Sequence, residues 1–300
     1  DARPRRVNLV APVLRLGSLP DDDPSLVRLR SDVKKETGIP EELTDKVIKS
    51  LAGVDHLGSL LKVDAAIDEA IKQQETLYRQ QPSQKDWVTG QFPEKRVRID
   101  ADVARETLQE RLEQFLVHHT HEEDLGLRLG GEQLAAGLRF VRMMKEGSYD
   151  LVVGNPPYQG LSRTALSDYV ATNYPKGKAD LYAAFLERGL QLAREDGFSA
   201  LLTMRGWMFL GQFEALRRHM IHSFDLRSIG DVDRGAFEDV PDEVLATVMT
   251  VIRRHGPNES TSVAMQPTPP SDHSRDADRT KRKRAALLAH VGRFDFSTEA

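Results

Sequence analysis

Ser148-Tyr149-Asp150-Leu151-Val152-Val153-Gly154-Asn155-Pro156-Pro157-Tyr158-Gln159-Gly160 is the stretch on which the reading of this chain turns. Leu151, Val152 and Val153 form a short apolar run bounded by Asp150 and Gly154, the pattern of a strand buried on both faces of a parallel sheet. Asn155, Pro156, Pro157 and Tyr158 follow at its carboxyl end. Ligands of open α/β sheets bind beyond those ends, so the tetrad is set to face a crevice. Two consecutive prolines fix φ and bring no N–H. Their carbonyls and the Asn155 amide oxygen are then acceptors held in advance, with the flat ring of Tyr158 beside them. Acceptors plus a stacking face suit the holding of a planar amide or exocyclic amine while its nitrogen attacks. The plainer alternative is a strand that ends in a Pro-rich turn with a buried Tyr.

The chain has 300 residues, a formal net charge of −4 and no cysteine. The length allows one large or two ordinary domains with a sizeable core. The lack of cysteine excludes disulfides, thiolate zinc sites and a cysteine nucleophile, and fits a reducing cytoplasm. A negative net charge means that any affinity for nucleic acid must come from local basic patches or from parts outside this sequence. No run of eighteen apolar residues and no signal peptide is visible, so neither membrane nor secretion is expected. Residue 1 is Asp, and Phe294 to Ala300 end without a tail, which reads as an internal fragment of a longer protein.

Upstream of the central stretch, Val7 to Leu14 reads as a sheet strand with Pro12 at its end, and Asp23-Pro24 as the cap and first turn of a helix. From Ser25 to about Arg142 the pattern is mostly helical and charged, with a loop-like Trp87 to Arg98 and a second helical block from Asp100 to His119. This excursion is too long for an ordinary crossover. His118, His119, His121 and Glu122 lack the His-Glu-x-x-His spacing of a metal site, and Gly126, Gly130 and Gly131 lack the strand that precedes a phosphate loop, so no metal is expected.

Downstream, Leu161 to Lys178 is polar and irregular, the composition of a mobile flap. Asp180 caps a helix from Leu181 to Arg194 that closes at Asp196-Gly197. Phe198 to Thr203, Leu226 to Gly230 and Ala246 to Ile252 read as strands, and Gln212 to His222 as a helix with Phe213, Leu216 and Met220 inward. Such alternation predicts an α/β fold with a parallel, doubly wound sheet. Phe237, in the loop before the last strand, is either a lid on the core or a stacking group at the sheet edge, and residue pattern favours the lid. Gly256 to Ser274 has linker composition. Arg279, Lys281, Arg282, Lys283 and Arg284 then form a basic cluster, either a solvated helix start or a phosphate-contacting element.

Asn155-Pro156-Pro157-Tyr158 resembles the signature of S-adenosylmethionine-dependent amino-methyltransferases, among them the DNA adenine-N6 enzymes and the glutamine-N5 enzymes that act on release factors. From about Val7 to Arg254 the order of elements resembles adenine-N6 methyltransferases whose cofactor-binding half precedes the NPPY half. The pieces Arg6 to Pro12, Leu57 to Leu61, Ala179 to Phe185, Phe198 to Phe209 and Ile229 to Phe237 resemble the methyltransferases of BREX phage-defence systems.

This resemblance implies a Rossmann-like doubly wound methyltransferase sheet, with its N-terminal part missing and a long helical insertion. Residues 1–24 would be a strand and turn of that core, 25–147 the insertion, 148–255 the catalytic half, 256–278 a linker, and 279–300 the start of a target-recognition region. It implies double-stranded DNA with a flipped adenine as partner, and other phage-defence proteins as possible associates, in the cytoplasm. Asn155 and the Pro156 carbonyl would accept hydrogen bonds from the adenine N6 amine within the Asn155-Pro156-Pro157-Tyr158 site, and Tyr158 and Phe237 would stack on the base. Asn155 would also face the cofactor. The resemblance therefore favours the stacking role for Phe237. The Gly-rich cofactor loop and the acidic ribose ligand belong upstream and are not in this chain, so alone it is expected to be inactive and to bind the cofactor weakly or not at all. The lack of cysteine argues against a cytosine-C5 enzyme, whose chemistry needs a thiolate. Glutamine-N5 or RNA methylation, and a non-catalytic DNA-binding scaffold, are the alternatives.

Overall fold

In the computed structural model the described residues are 21–22, 24–37, 39–42, 44–45, 48, 58–62, 68–69, 72–73, 76, 110–111, 143–161, 166–234, 236–237, 245–258, 260–267 and 278–297. The expected strand Val7 to Leu14, the loop Trp87 to Arg98, the His118 to Asp124 run and Gly126, Gly130 and Gly131 lie outside them, as does the expected helix Asp100 to His119 except for residues 110–111, which are helical. The chain divides into two units, Asp1–Lys145 and Glu146–Ala300.

In the first unit, helix α1 (Pro24–Thr37) begins at Pro24, where a missing N–H costs the helix nothing. Its buried side chains Leu26, Leu29 and Val33 recur at three and four residues and so share one face. Arg30 on the next turn pairs with Asp45 at 2.5 Å. Gly58–Leu60 forms a 3-10 turn, and Leu60 and Leu61 are buried.

The second unit is built on a six-stranded sheet of β1 (Tyr149–Gly154), β2 (Ala193–Met204), β3 (Asp225–Arg234), β4 (Ala246–Arg253), β5 (Ser262–Met265) and β6 (Arg293–Phe296), in the order β1-β2-β4-β3-β5-β6. β1 and β2 are parallel, and so are β3 and β5. β4 runs antiparallel to both β2 and β3, which makes the sheet mixed where alternation alone predicted a parallel one. The reason lies between β3 and β4, where no helical pattern intervenes. Residues 235–245 are too few for the crossover of about a dozen or more residues that a parallel neighbour needs, so β4 runs back beside β3. Because β4 is reversed against both, β2 and β3 point the same way as β1. The carboxyl ends of β1, β2 and β3 therefore share one edge of the sheet.

Helices α2 (Ser167–Asn173) and α3 (Leu181–Leu192) lie between β1 and β2, α4 (Glu214–Ser223) lies between β2 and β3, and α5 (Arg279–Leu288) comes before β6. Asp180 caps α3 as expected, its side chain accepting from the Tyr182 N–H at 3.3 Å. The helix ends at Leu192, and Ala193 already turns into β2, so Asp196 rather than a glycine takes the positive φ of 63°. Core side chains Leu186 and Leu190 from α3, Leu216 and Met220 from α4, Leu201, Val248 and Ile252 from the strands, and Phe213 pack into one cluster. Phe213, Leu216 and Met220 point inward, as their spacing predicts.

Three expectations are corrected here. β1 is not buried on both faces: Leu151 is 54% and Val153 72% exposed. β1 pairs only with β2 among the described residues, and α3 and the core cover the face opposite these two side chains. The segment Leu161 to Lys178 is not an irregular flap throughout, because it contains α2, with Val170 and Tyr174 fully buried. Two apolar residues four apart inside a polar stretch were enough for one packed turn. Finally, the linker-like 256–278 contributes β5, and β6 continues the same sheet, so the sheet does not stop at 255. Backbone pairing with β3 outweighs the polar composition there.

Gly177 sits against the backbone of α3. A Cβ there would fall 2.5 Å from the Ala183 carbonyl carbon and oxygen, atoms that cannot move without the helix. Its N–H also donates to the buried Glu187 carboxylate. Gly177→Ala is expected to destabilise the protein by about 1–3 kcal/mol, the usual cost of overpacking. A denaturation midpoint equal to that of the parent would show that this contact is not tight.

Candidate active site

The tetrad leaves β1 at the shared carboxyl edge. Asn155 and Pro157 are exposed, Pro156 is buried and Tyr158 is half-buried. The segment is tied down directly after the tetrad, since the Leu181 N–H donates to the Gln159 carbonyl at 3.1 Å and Gly160 bridges to Asp180. Asp180 thus caps α3 and fixes the exit of the tetrad at one point. Burial holds its carboxyl above the usual range, against the backbone N–H groups that favour the charged form.

Tyr158 reaches back to Asn155, its hydroxyl donating to Oδ1 at 2.7 Å, with the Leu202 carbonyl of β2 3.5 Å away. The oxygen that sequence reasoning left open as an acceptor already holds one hydrogen bond. A carboxamide oxygen has two lone pairs, so a second donor can still be taken. Burial raises the Tyr158 phenol above its ordinary pKa and keeps it a donor. Edge-on behind Tyr158 stands Tyr182, with ring centroids 6.5 Å apart at 83°, and behind Tyr182 stands Phe213 at 5.7 Å. The aromatic column connects the tetrad to the deepest part of the core.

Phe237 is half-buried just beyond the end of β3, at the same edge as Asn155. Its neighbours Gly235 and Glu238 to Val244 lie outside the described residues, so the choice between lid and stacking group stands on its position at this edge.

The basic cluster divides. Lys283 is buried, and its ammonium donates to the Val232 and Arg234 carbonyls at the end of β3, so it is part of the fold rather than a surface cation. Lys281, Arg282 and Arg284 are exposed, with Lys281 3.3 Å from Asp278. Arg279 opens α5.

Sequence reasoning missed a second polar group at this edge. Arg205, directly after β2, pairs with Asp233 at 2.6 Å and Asp231 at 3.3 Å. Burial raises the Asp231 carboxyl, and Arg205 opposes that. Asp233 sits at a positive φ of 57° where the β3 register shifts. The Asp231-Val232-Asp233 alternation was a readable sign of two carboxylates on one side, but their cation comes from another strand.

A cavity of about 190 Å³, lined by Lys176, His219 and Arg254 among others, lies elsewhere. Phe224 precedes β3 and Arg254 follows β4, which places it at the opposite, amino edge of the sheet. Burial, helped by Lys176, lowers the His219 pKa there. The tetrad, not this cavity, occupies the edge where α/β sheets bind ligands. Among the described residues no group of three or more His, Asp or Glu side chains is placed to hold a metal, and no helix is long and apolar enough to cross a membrane.

The sheet carries Asn155-Pro156-Pro157-Tyr158 at the shared carboxyl edge of its parallel strands, and comparison with known proteins places the chain among methylases. The profile of the family described as Eco57I restriction-modification methylase matches residues 53–237. The chain belongs to that family. It is similar to the adenine-specific methyltransferase PglX of Lacticaseibacillus casei, 37% identical over 108 residues that cover 35% of this chain and 9% of the relative. It is also similar to the adenine-specific methyltransferase BrxX of Escherichia coli O9:H4, 34% identical over 109 residues, 36% of this chain and 9% of the relative. The match thus spans about a tenth of the length of these relatives. A solved structure of a nuclease-deletion mutant of the Type ISP restriction-modification enzyme LlaGI, in complex with a DNA substrate mimic, superposes with a TM-score of 0.42 at 12% identity, over 65% of this chain and 22% of that one. That score is too low to add to the assignment.

Proposed function

We propose that this chain carries the catalytic half of a DNA methyltransferase that modifies adenine at N6, in a phage-defence or restriction-modification system. The observation that carries the reading is the exposed Asn155 oxygen beside the Tyr158 ring at the carboxyl edge of the sheet, in a chain of the Eco57I methylase family. An adenine extruded from duplex DNA would offer its N6 amine to the remaining lone pair of Asn155 Oδ1 and to the Pro156 carbonyl. Accepting those hydrogen bonds pulls electron density on to the nitrogen and orients its own lone pair for attack. Tyr158 stacks on the base, with Phe237 as the second aromatic. No side chain need act as a base, because the extra proton can leave to water after transfer.

S-adenosylmethionine fits as the methyl donor, supplying an electrophilic methyl group. By the same resemblance, Asn155 would also face its reactive end. Of the basic cluster, Arg279, Lys281, Arg282 and Arg284 are left as the phosphate contacts, and Lys283, which is buried, is not one. Glutamine-N5 or RNA methylation would use the same tetrad. Labelled methyl transfer from the cofactor, measured in parallel on duplex DNA, RNA and protein, separates these substrates. Label in RNA or protein but not in DNA sinks the proposal.

The Tyr158 hydroxyl adds a testable detail. Tyr158→Phe keeps the ring and releases Oδ1, so its methylation rate should stay within about tenfold of the parent. Tyr158→Ala removes the stack and should cost about ten- to a hundredfold, as expected for one base–aromatic contact. Equal losses in steady-state kinetics for the two variants would contradict a stacking role.

A further inference from the structure

Phe209 and Leu210, in the turn that follows β2, are 60% and 53% exposed. Two large apolar side chains standing in water invite an entropic explanation, a loose loop tip. The turn is not loose. It starts as a 3-10 helix (Arg205–Met208) anchored by Trp207, which is 3% exposed. The Phe209 and Leu210 N–H groups both donate to the Gly206 carbonyl. From α4, the Arg217 guanidinium donates to the Trp207 carbonyl at 2.8 Å and the Leu210 carbonyl at 2.6 Å. Arg205 lies over one face of the Phe209 ring, its Cζ 4.9 Å from the centroid, while Asp231 and Asp233 hold its charge. The backbone is braced on both sides and the ring is backed by a cation that is itself neutralised. What the turn presents outward is apolar surface in a fixed position.

That position adjoins the tetrad. β2 is the neighbour of β1, with Gly154 opposite Leu201, and the two carboxyl ends open side by side. Tyr182 joins them: its ring meets Tyr158 edge-on, and its hydroxyl lies where a Cβ on Gly206 would touch it at 3.3 Å.

We propose that Phe209, with Leu210 beside it, is an apolar wedge that packs against the base stack of duplex DNA where the target adenine leaves it. The inference rests on the reading of the tetrad as an adenine site. Two side chains are far too small a patch for a stable protein interface, which buries about 1,000 Å² or more. Their chemistry does not suit phosphate either, since Arg205 is paired with Asp231 and Asp233 and Arg217 is bonded to the Trp207 and Leu210 carbonyls. They do suit the flat, apolar faces of unstacked bases, into which apolar wedges insert when a duplex is opened.

The test uses the protein made from its complete reading frame. The sites at which it deposits N6-methyladenine in host DNA define a duplex oligonucleotide, and 2-aminopurine replaces the target adenine in a second one. The parent should raise 2-aminopurine fluorescence on binding. Phe209→Ala should bind the duplex but give roughly a tenfold smaller rise, and methylate the paired duplex about ten- to a hundredfold more slowly. Its rate should recover on a duplex with an abasic site opposite the adenine, because there the stack is already open. Phe209→Trp, which keeps a flat ring, should recover most of the signal. The wedge is overturned if Phe209→Ala extrudes the base like the parent, or if its defect is the same on paired and abasic duplexes. If the parent deposits no N6-methyladenine at all, the adenine reading fails and the wedge falls with it. That outcome differs from a wedge failure, in which the parent methylates and Asn155→Ala does not.

Discussion

Asn155→Ala is expected to lower the methylation rate by about 10²–10³-fold or more, the usual cost of deleting one preorganised hydrogen-bonding group aimed at the reacting atom. The loss should fall on kcat, because the hydrogen bond gains strength as the amine nitrogen becomes nucleophilic. DNA affinity should change little. Asn155 is exposed, and the Tyr158 hydroxyl that donates to it has the Leu202 carbonyl within 3.5 Å as a substitute. Stability should therefore stay within about 0.5 kcal/mol of the parent. A variant that retains kcat but loses affinity would make Asn155 a binding group only, and the mechanism would need another source of activation.

Phe213→Ala should produce the largest loss of stability. Phe213 is 1% exposed, between α4 and the sheet, and truncating a buried aromatic costs about 3–5 kcal/mol. The effect should reach the active site. Phe213 supports Tyr182 at 5.7 Å, and Tyr182 supports Tyr158 edge-on, so a cavity at Phe213 lets the stacking ring move. Methylation should fall even at temperatures where the variant is folded. Phe213→Leu, which fills most of the space, should cost less than about 1.5 kcal/mol and keep most of the activity. Chemical denaturation alongside single-turnover kinetics reads both effects. A destabilised Phe213→Ala with parental kinetics would show that the aromatic column is support for the fold alone.

Much of the sheet was legible from local pattern. Asp180 before Leu181, and Phe213, Leu216 and Met220 at helical spacing, each have a local physical cause, and each stands where that cause puts it. The reversed strand β4 was not legible in direction, because its apolar run Ala246 to Ile252 reads the same either way along the chain. β5 hid in a polar, Pro-containing segment, and its reason for being a strand is the parallel pairing with β3, a contact distant in sequence. The exposed side of β1 was misread for a related reason. An apolar run reports that a strand seeks cover, but not which face the described elements supply.

The tetrad was legible because its parts are consecutive: Asn155, two rigid prolines and Tyr158 fall on the same sheet edge whatever surrounds them. The Tyr158 to Asn155 hydrogen bond was not, since it depends on how Tyr182 and β2 steer the ring. Arg205 comes from the turn after β2 and Asp231 and Asp233 from β3, strands separated by β4, and only the folded order brings them together. Lys283 shows the reverse failure. Within a run of five cations it looks like its neighbours, yet two backbone carbonyls of β3 turn it inward.

The most direct test of the central claim is made in a host that lacks adenine methylases. The complete reading frame is expressed with Asn155 intact or replaced by alanine, and host DNA is digested to nucleosides and analysed by mass spectrometry. N6-methyladenine should appear with the parent and be absent with Asn155→Ala. N6-methyladenine at equal levels with both would contradict the role given to Asn155, and its absence from both would contradict DNA adenine as the substrate.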